Sequence, residues 1–394
     1  MTRKKLAARG LALSVCMLLA LTACGDDSDT DSTPKALSSL GESENQLTLL
    51  AMPGHAERGT SDPEQDWVTA FEKETGCQTA VTTATDVTEL EELARTGEYD
   101  AVAAPGEISR ALIEDEEVAP VNTTLLENYD DVVKGLQNRA WNSAGGDSYG
   151  APVGRSANLL MWRTDKVTTP PTSTATLFDP ADELSGSLAA FDSPLTLADY
   201  ALYLKTARPE LGITNPYALS RKQFDAVVAQ AGVDNDKIGT YWVEYGQYLQ
   251  KVAEGAVSMG IAPQAVVEVG KAQGTPIEAT LPEQGATGTA DTWMITANAQ
   301  NPNCAYRWLD YTLSPEVNAQ AAQVLGVAPA VTTACDKAAP GYCDTFHALD
   351  EEYYQKVWPA TTPLTQCVAG SGSSCVGVQD WRDAWQNLRT QRGD

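Results

Sequence analysis

Short apolar runs alternate with amphipathic stretches through most of the chain. Residues 46–52 (QLTLLAM) form a compact apolar run that ends at Pro53-Gly54, which predicts a buried strand leading into a loop. Asp62, Pro63 and Gln65 then match an N-cap, a first-turn proline and a capping-box partner, so a helix is predicted with Trp67, Val68 and Phe71 on one face and Gly76 as its stop. Residues 77–83 alternate as a strand, 87–94 read as an acidic amphipathic helix, and 99–103 are apolar again before Pro105-Gly106. This βαβαβ order predicts a mostly parallel sheet with its functional loops at the strand C-terminal ends, at residues 52–58 and 104–107.

The pattern repeats farther on. Strands are predicted over 158–162, 187–191, 257–261, 277–281 and 292–296, with helical stretches over 195–205, 224–251 and 304–313. A further helix, capped by Ser314 and opened by Pro315, runs to Leu325. The reading is a two-lobe α/β protein, with 46–154 and 286–340 in one lobe and 155–285 and 341–394 in the other.

The N-terminus bears on compartment. Arg3, Lys4, Lys5 and Arg9 precede an apolar stretch at 11–23 that is too short to span a bilayer, as in an export signal. Leu21-Thr22-Ala23-Cys24 resembles the bacterial lipobox, so residues 1–23 are expected to be removed and Cys24 to carry lipid. An extracytoplasmic protein anchored to the cell membrane follows. Residues 24–45 are polar and acidic and predict a flexible tether. Without residues 1–23, which hold four basic residues and no acid, the formal charge of −26 becomes −30. A field of that sign repels phosphate backbones, and no basic run offsets it, so nucleic acid is excluded as a partner.

Once Cys16 and Cys24 are set aside, Cys77, Cys304, Cys335, Cys343, Cys367 and Cys375 remain, an even set in an oxidising compartment. Fifteen pairings are possible. The short loops favour Cys335–Cys343 and Cys367–Cys375, with Cys77 and Cys304 as a long-range staple. No C-x2-C pair points to zinc, and His55 and His347 are too few for a multi-histidine metal site, so neither metal nor cofactor is expected. Nucleophile-elbow, zincin, Walker and dinucleotide motifs are missing, and Ser32-x-x-Lys35 lies in the tether. Binding is therefore expected rather than catalysis.

The stretches FEKETGC, GEYDAVAAPG, GAPVGRSANLLMW, LFDPADELSGSLAAFDS, GAVSMG and GTPIEATLPEQGATGTADTWMITANAQN run in the order found in bacterial extracellular spermidine/putrescine-binding proteins, which the chain resembles over residues 46–330. The resemblance implies a type II periplasmic-binding fold with two lobes, a hinge and an interlobe cleft. It also implies a polyamine held by carboxylates and stacked aromatics, and delivery to an ABC transporter permease by a monomer. A flexible cation suits such a site, since acids meet its ammonium ends and aromatic faces its methylene body.

Carried over by position, the family's amine-binding aspartate falls on Asp291. Four family aromatics fall on Met52, His55, Pro263 and Thr289, and at about 1 kcal/mol each their loss amounts to about a thousandfold in affinity. The family's serine and tyrosine fall near Pro105 and Glu107, and its acidic pair near Ser193 and Thr196, just past Asp192. The expected ligand set is thus Asp291, Glu57, Glu107, Asp192, Ser193, His55 and Thr289, around a smaller or differently shaped cation. For Glu57 and Glu107 the competing reading is solvated loop charge; for His55 the competing readings are a neutral hydrogen-bonding group, a weak metal pair with Glu57 and, ahead of both, an exposed loop residue. Arg155 is expected to make a structural pair at the hinge, Asp100 to fix a turn, and Trp162, Trp293 and Trp308 to pack. His347 and Glu351 read as a surface pair. The alternative function is an envelope sensor or scaffold lipoprotein that kept the fold and lost the ligand.

Overall fold

The computed structural model describes residues 34–60, 62–367 and 374–392. The leader, Cys24 and the first part of the tether lie outside the described residues. The first lobe opens with β1 (Gln46–Ala51), α1 (Val68–Thr75), β2 (Gln78–Thr83), α2 (Val87–Ala94), β3 (Ala101–Ala104) and α3 (Gly106–Glu114). A small hairpin of β4 (Ser143–Ala144) and β5 (Asp147–Ser148) precedes the long strand β6 (Ala151–Arg163). The second lobe holds α4 (Ala175–Phe178), β7 (Leu188–Phe191), α5 (Thr196–Ala207), α6 (Arg221–Asp234), β8 (Ile238–Trp242), α7 (Tyr245–Ala253), β9 (Met259–Pro263), α8 (Gln264–Ala272) and β10 (Ile277–Thr280). A second long strand, β11 (Ala286–Ile295), returns to the first lobe, where α9 (Pro302–Thr312), α10 (Pro315–Leu325) and β12 (Ala328–Pro329) follow. The chain then makes α11 (Tyr342–Thr345), α12 (Glu351–Tyr354) and β13 (Val357–Pro359) before α13 (Val378–Arg392), which packs on the second lobe.

Strand order is β2-β1-β3-β11-β6-β9-β7-β8, so β6 and β11 belong to the sheets of both lobes. Successive strand residues face opposite ways, and each sheet buries both faces. In β1, Leu47, Leu49 and Ala51 enter one core while Leu50 enters another; in β6, Leu160 and Trp162 enter one core of the second lobe and Leu159 and Met161 the other. Burial on both sides is why these strands read as apolar runs. Trp162, Trp293 and Trp308 are buried as expected, with Trp293 and Trp308 edge to face at 5.4 Å.

The sheet is mixed, where a mostly parallel one was expected. β1 pairs parallel with β2 and β3, but β11 runs antiparallel to β3 and β6, because it enters the first lobe from the second. The stretch 224–251 is also not continuous helix. The alternation of Ile238–Trp242, with Ile238, Thr240 and Trp242 buried, makes β8 between α6 and α7. α1 starts at Val68, later than expected: Asp62 closes a preceding turn by accepting the Glu64 amide at 3.0 Å, and Asp66 accepts the Thr69 amide at 2.9 Å. Gly76 ends the helix with φ 76°, a conformation that favours glycine.

All three favoured disulfides are present: Cys77–Cys304, Cys335–Cys343 and Cys367–Cys375. The end of the expected tether is bound to the first lobe. The Glu44 carboxylate accepts the amides of Asn303 and Cys304 at 2.9 Å each, satisfying orphan donors at the start of α9. The Leu37 amide donates to the Tyr306 hydroxyl at 3.3 Å. Asp100 accepts the Thr48, Gln300 and Asn301 amides, the turn-fixing role expected of it. Among the described residues no helix is long and apolar enough to cross a membrane.

Candidate ligand-binding cleft

A cavity of about 650 Å³ opens between the lobes, a size typical of small-molecule sites. The crossing strands form its floor. β11 supplies Thr287, Thr289 and Asp291, and β6 supplies Asn158. The β11–β6 register slips between Asp291 and Thr292, a bulge at the point where the strand passes from one lobe to the other.

Glu107 enters from the first turn of α3. A Cβ at Gly106 would lie 2.1 Å from the Ala360 carbonyl oxygen, so only glycine lets α3 begin this close to the segment after β13. The Thr362 hydroxyl donates to the Glu107 carbonyl at 2.8 Å and ties the two together. Burial raises the Glu107 carboxyl to about 7, and the Asp291 and Glu91 charges add to that shift.

Asp199 faces the cavity from the first turn of α5, in the other lobe. Thr287 donates to it at 2.8 Å, and Asn158 in turn donates to Thr287 at 2.9 Å. Burial raises Asp199 to about 7 against the opposing pull of the Thr287 hydrogen bond. Neither Glu107 nor Asp199 has an ion-pair partner among the described residues. Tyr217 lines the same cavity, its hydroxyl shifted upward first by burial and then by the charges of Asp199 and Glu107.

One wall is aromatic. Phe191 is 39% exposed and packs 4.8 Å from Trp242, and Tyr245, 53% exposed, lies 5.7 Å from the same indole. Tyr217, and Trp381 from α13, complete this side. Met52, Pro263 and Thr289 do line the cleft without an aromatic ring, but the second lobe supplies rings from other positions. At the mouth, Arg382 of α13 reaches Glu91 of α2 at 3.6 Å, a contact between lobes.

Of the residues expected in the site, Asp291, Glu107, Asp192, Ser193 and Thr289 line the cavity, whereas His55 and Glu57 do not. Glu57 accepts the Gly54 amide at 2.8 Å and caps its own loop. His55 is not an exposed loop residue: it is 5% exposed, with Nε2 2.9 Å from Asp291 Oδ2 and Nδ1 3.2 Å from the Met52 carbonyl oxygen. The Asp192 carboxylate accepts from Trp385 Nε1 at 2.8 Å and pairs with Arg389 at 3.2 Å. The Ser193 hydroxyl accepts the Leu195 amide at 3.2 Å in the turn before α5. Arg155 makes the structural hinge pair expected of it, with Glu351 and across the face of Tyr354 at 3.8 Å. His347 stacks on Tyr353 at 4.0 Å instead of meeting Glu351. No cluster of three or more metal-ligating side chains occurs among the described residues.

Asp199, Trp242 and Tyr245 were missed by sequence reasoning. The available signal for Asp199 was a single acid in the otherwise apolar stretch TLADYALYL; for Trp242 it was the alternation of IGTYW.

The putrescine/cadaverine-binding protein of Pseudomonas aeruginosa is 22% identical over 269 residues, 63% of this chain and 71% of that protein. The spermidine/putrescine-binding periplasmic protein of Escherichia coli is 33% identical over 73 residues, 18% of this chain and 21% of its own length. Among solved structures, a spermidine/putrescine ABC transporter substrate-binding protein from Streptococcus pneumoniae aligns with TM-score 0.68 at 15% identity, covering 88% of this chain and 98% of that one. At that identity the likeness speaks for the fold, the two-lobe periplasmic-binding architecture expected from the sequence. The model of the bacterial extracellular solute-binding proteins matches residues 66–342. The chain belongs to the bacterial extracellular solute-binding protein family.

Proposed function

We propose that the protein is the solute-binding component of an ABC importer and takes a small di- or polyamine in its interlobe cleft. The observation that carries this reading is the pair Glu107 and Asp199, partly buried carboxylates of opposite lobes without a basic partner among the described residues, beside the aromatic wall of Phe191, Trp242 and Tyr245. Two ionised carboxylates in a confined site are stabilised by bringing in positive charge, and aromatic faces favour the methylene body between two ammonium groups. The names of the relatives point to the same class of ligand. Anchoring through lipidated Cys24 and a permease as partner of the monomer complete the proposal.

Calorimetry and thermal shift with putrescine, cadaverine, spermidine and agmatine test it, with glutamate and glucose as controls. A ligand at 100 times its dissociation constant stabilises by about 2.7 kcal/mol. Stabilisation by an amine that E107Q and D199N each weaken at least tenfold is expected. Stabilisation by glutamate or glucose and by no amine refutes the assignment.

A further inference from the structure

Seven carboxylates line the cleft, and they are not equivalent. Glu91 is tied to Arg95 at 2.9 Å and to Arg382, Asp192 is held by Arg389 and Trp385, and Asp86 and Glu244 face solvent at the rim. Glu107, Asp199 and Asp291 remain as the acids positioned to meet a ligand. Asp291 differs from the other two because His55 lies beneath it, buried, with one ring nitrogen against the carboxylate and the other against the Met52 carbonyl. Both neighbours are hydrogen-bond acceptors. A neutral imidazole has one N–H and satisfies one of them; a doubly protonated ring satisfies both. Trp67 Nε1 donates to the backbone carbonyl of His55 at 3.4 Å and fixes the loop there, while Trp293 meets the imidazole edge to face at 6.5 Å. His55 faces Asp291, which in turn interacts with Glu107 and Tyr245; Glu57, two residues on, caps its own loop, and the nearby Arg58 is committed to Glu72.

We propose that His55 is a specificity-determining residue: as an imidazolium beneath Asp291 it neutralises that carboxylate, so the cleft is matched to two ammonium ends, one at Glu107 and one at Asp199, rather than three. This rests on the cationic-ligand reading and adds a charge count to it. The resident cation occupies Asp291 Oδ2, so a third ammonium meets a carboxylate whose charge is already balanced. The preferred ligand class is a diamine over a triamine.

The test is calorimetric titration of putrescine and spermidine into wild type, H55Q and H55L at pH 7.5, with a melting curve for each. H55Q keeps a donor for Asp291 without a charge, and H55L removes both. Wild type is expected to bind the diamine more tightly, and both variants to shift the affinity ratio toward spermidine by about tenfold, the effect of one partly screened charge pair. General loss of structure weakens both amines alike and leaves the ratio in place. A ratio that moves less than twofold in both folded variants overturns the proposal. With two histidines in the chain, ¹⁵N-histidine NMR gives a readout independent of the variants: both His55 nitrogens protonated at pH 7 is expected, and a neutral tautomer overturns the charge assignment. If wild type binds neither amine, the cationic-ligand reading itself fails, which differs from binding with an unmoved ratio.

Discussion

Ligand capture should release protons. Burial holds the carboxyls of Glu107 and Asp199 at about 7, so near neutrality each is divided between its acid and its carboxylate form. An ammonium beside each favours the charged form and returns the group toward the ordinary carboxylate range of about 4. Protons present before binding must then leave. At pH 6 each carboxyl is about nine-tenths protonated and at pH 8 about one-tenth, so each contributes about one log unit of affinity across that interval. Together the two give about a hundredfold, or about 2.7 kcal/mol, with tighter binding at higher pH and a plateau above about pH 8. The amine ends stay charged to about pH 10, so they contribute no slope in this window. Calorimetry at pH 6, 7 and 8, in buffers of different ionisation enthalpy, measures both the slope and the proton count. About one proton per ligand is expected at pH 7 in wild type, and E107Q should halve both quantities. A flat profile from pH 6 to 8 in wild type refutes the reasoning, as does an E107Q profile with wild-type slope.

Three other outcomes are expected. Tyr245→Ala, at a half-exposed ring on the aromatic wall, should weaken an amine by about 1 kcal/mol, roughly fivefold, with little change in melting temperature. Gly106→Ala places a methyl against the Ala360 carbonyl, so α3 must shift; affinity should fall at least tenfold and stability by about 2 kcal/mol in denaturant titration. Replacing Cys77 and Cys304 together by alanine removes a crosslink between residues 227 apart in sequence, and unfolding free energy should drop by about 3 kcal/mol while amine affinity is retained.

How far the sequence anticipates the molecule depends on how local each signal is. β1 and α2 are legible because apolar runs and helical periodicity are written within a few residues, and the Cys335–Cys343 and Cys367–Cys375 bridges because their loops are short. The stretch 224–251 fails because one five-residue strand sits between two amphipathic helices. That misreading hides Trp242 and Tyr245, so the cleft looks poorer in aromatics than it is. Asp199 resembles an ordinary first-turn acid until Thr287, 88 residues away, is seen to donate to it. His55 and Asp291, separated by 236 residues, meet only when β11 crosses back past the loop after β1. In each case the contact between distant residues defines the role.

The way residues 37–45 are fastened has a mechanical consequence. Glu44 grips the start of α9, the Leu37 amide holds Tyr306, and the Cys77–Cys304 bridge joins α9 to the start of β2, so these attachments all fall on one half of the molecule. A pull applied along the backbone at Pro34 is therefore borne by the first lobe without crossing β6 or β11. In the anchored binding protein proposed above, closure about those strands leaves the leash unloaded, with Asp199 as the travelling jaw and Glu107 as the stationary one.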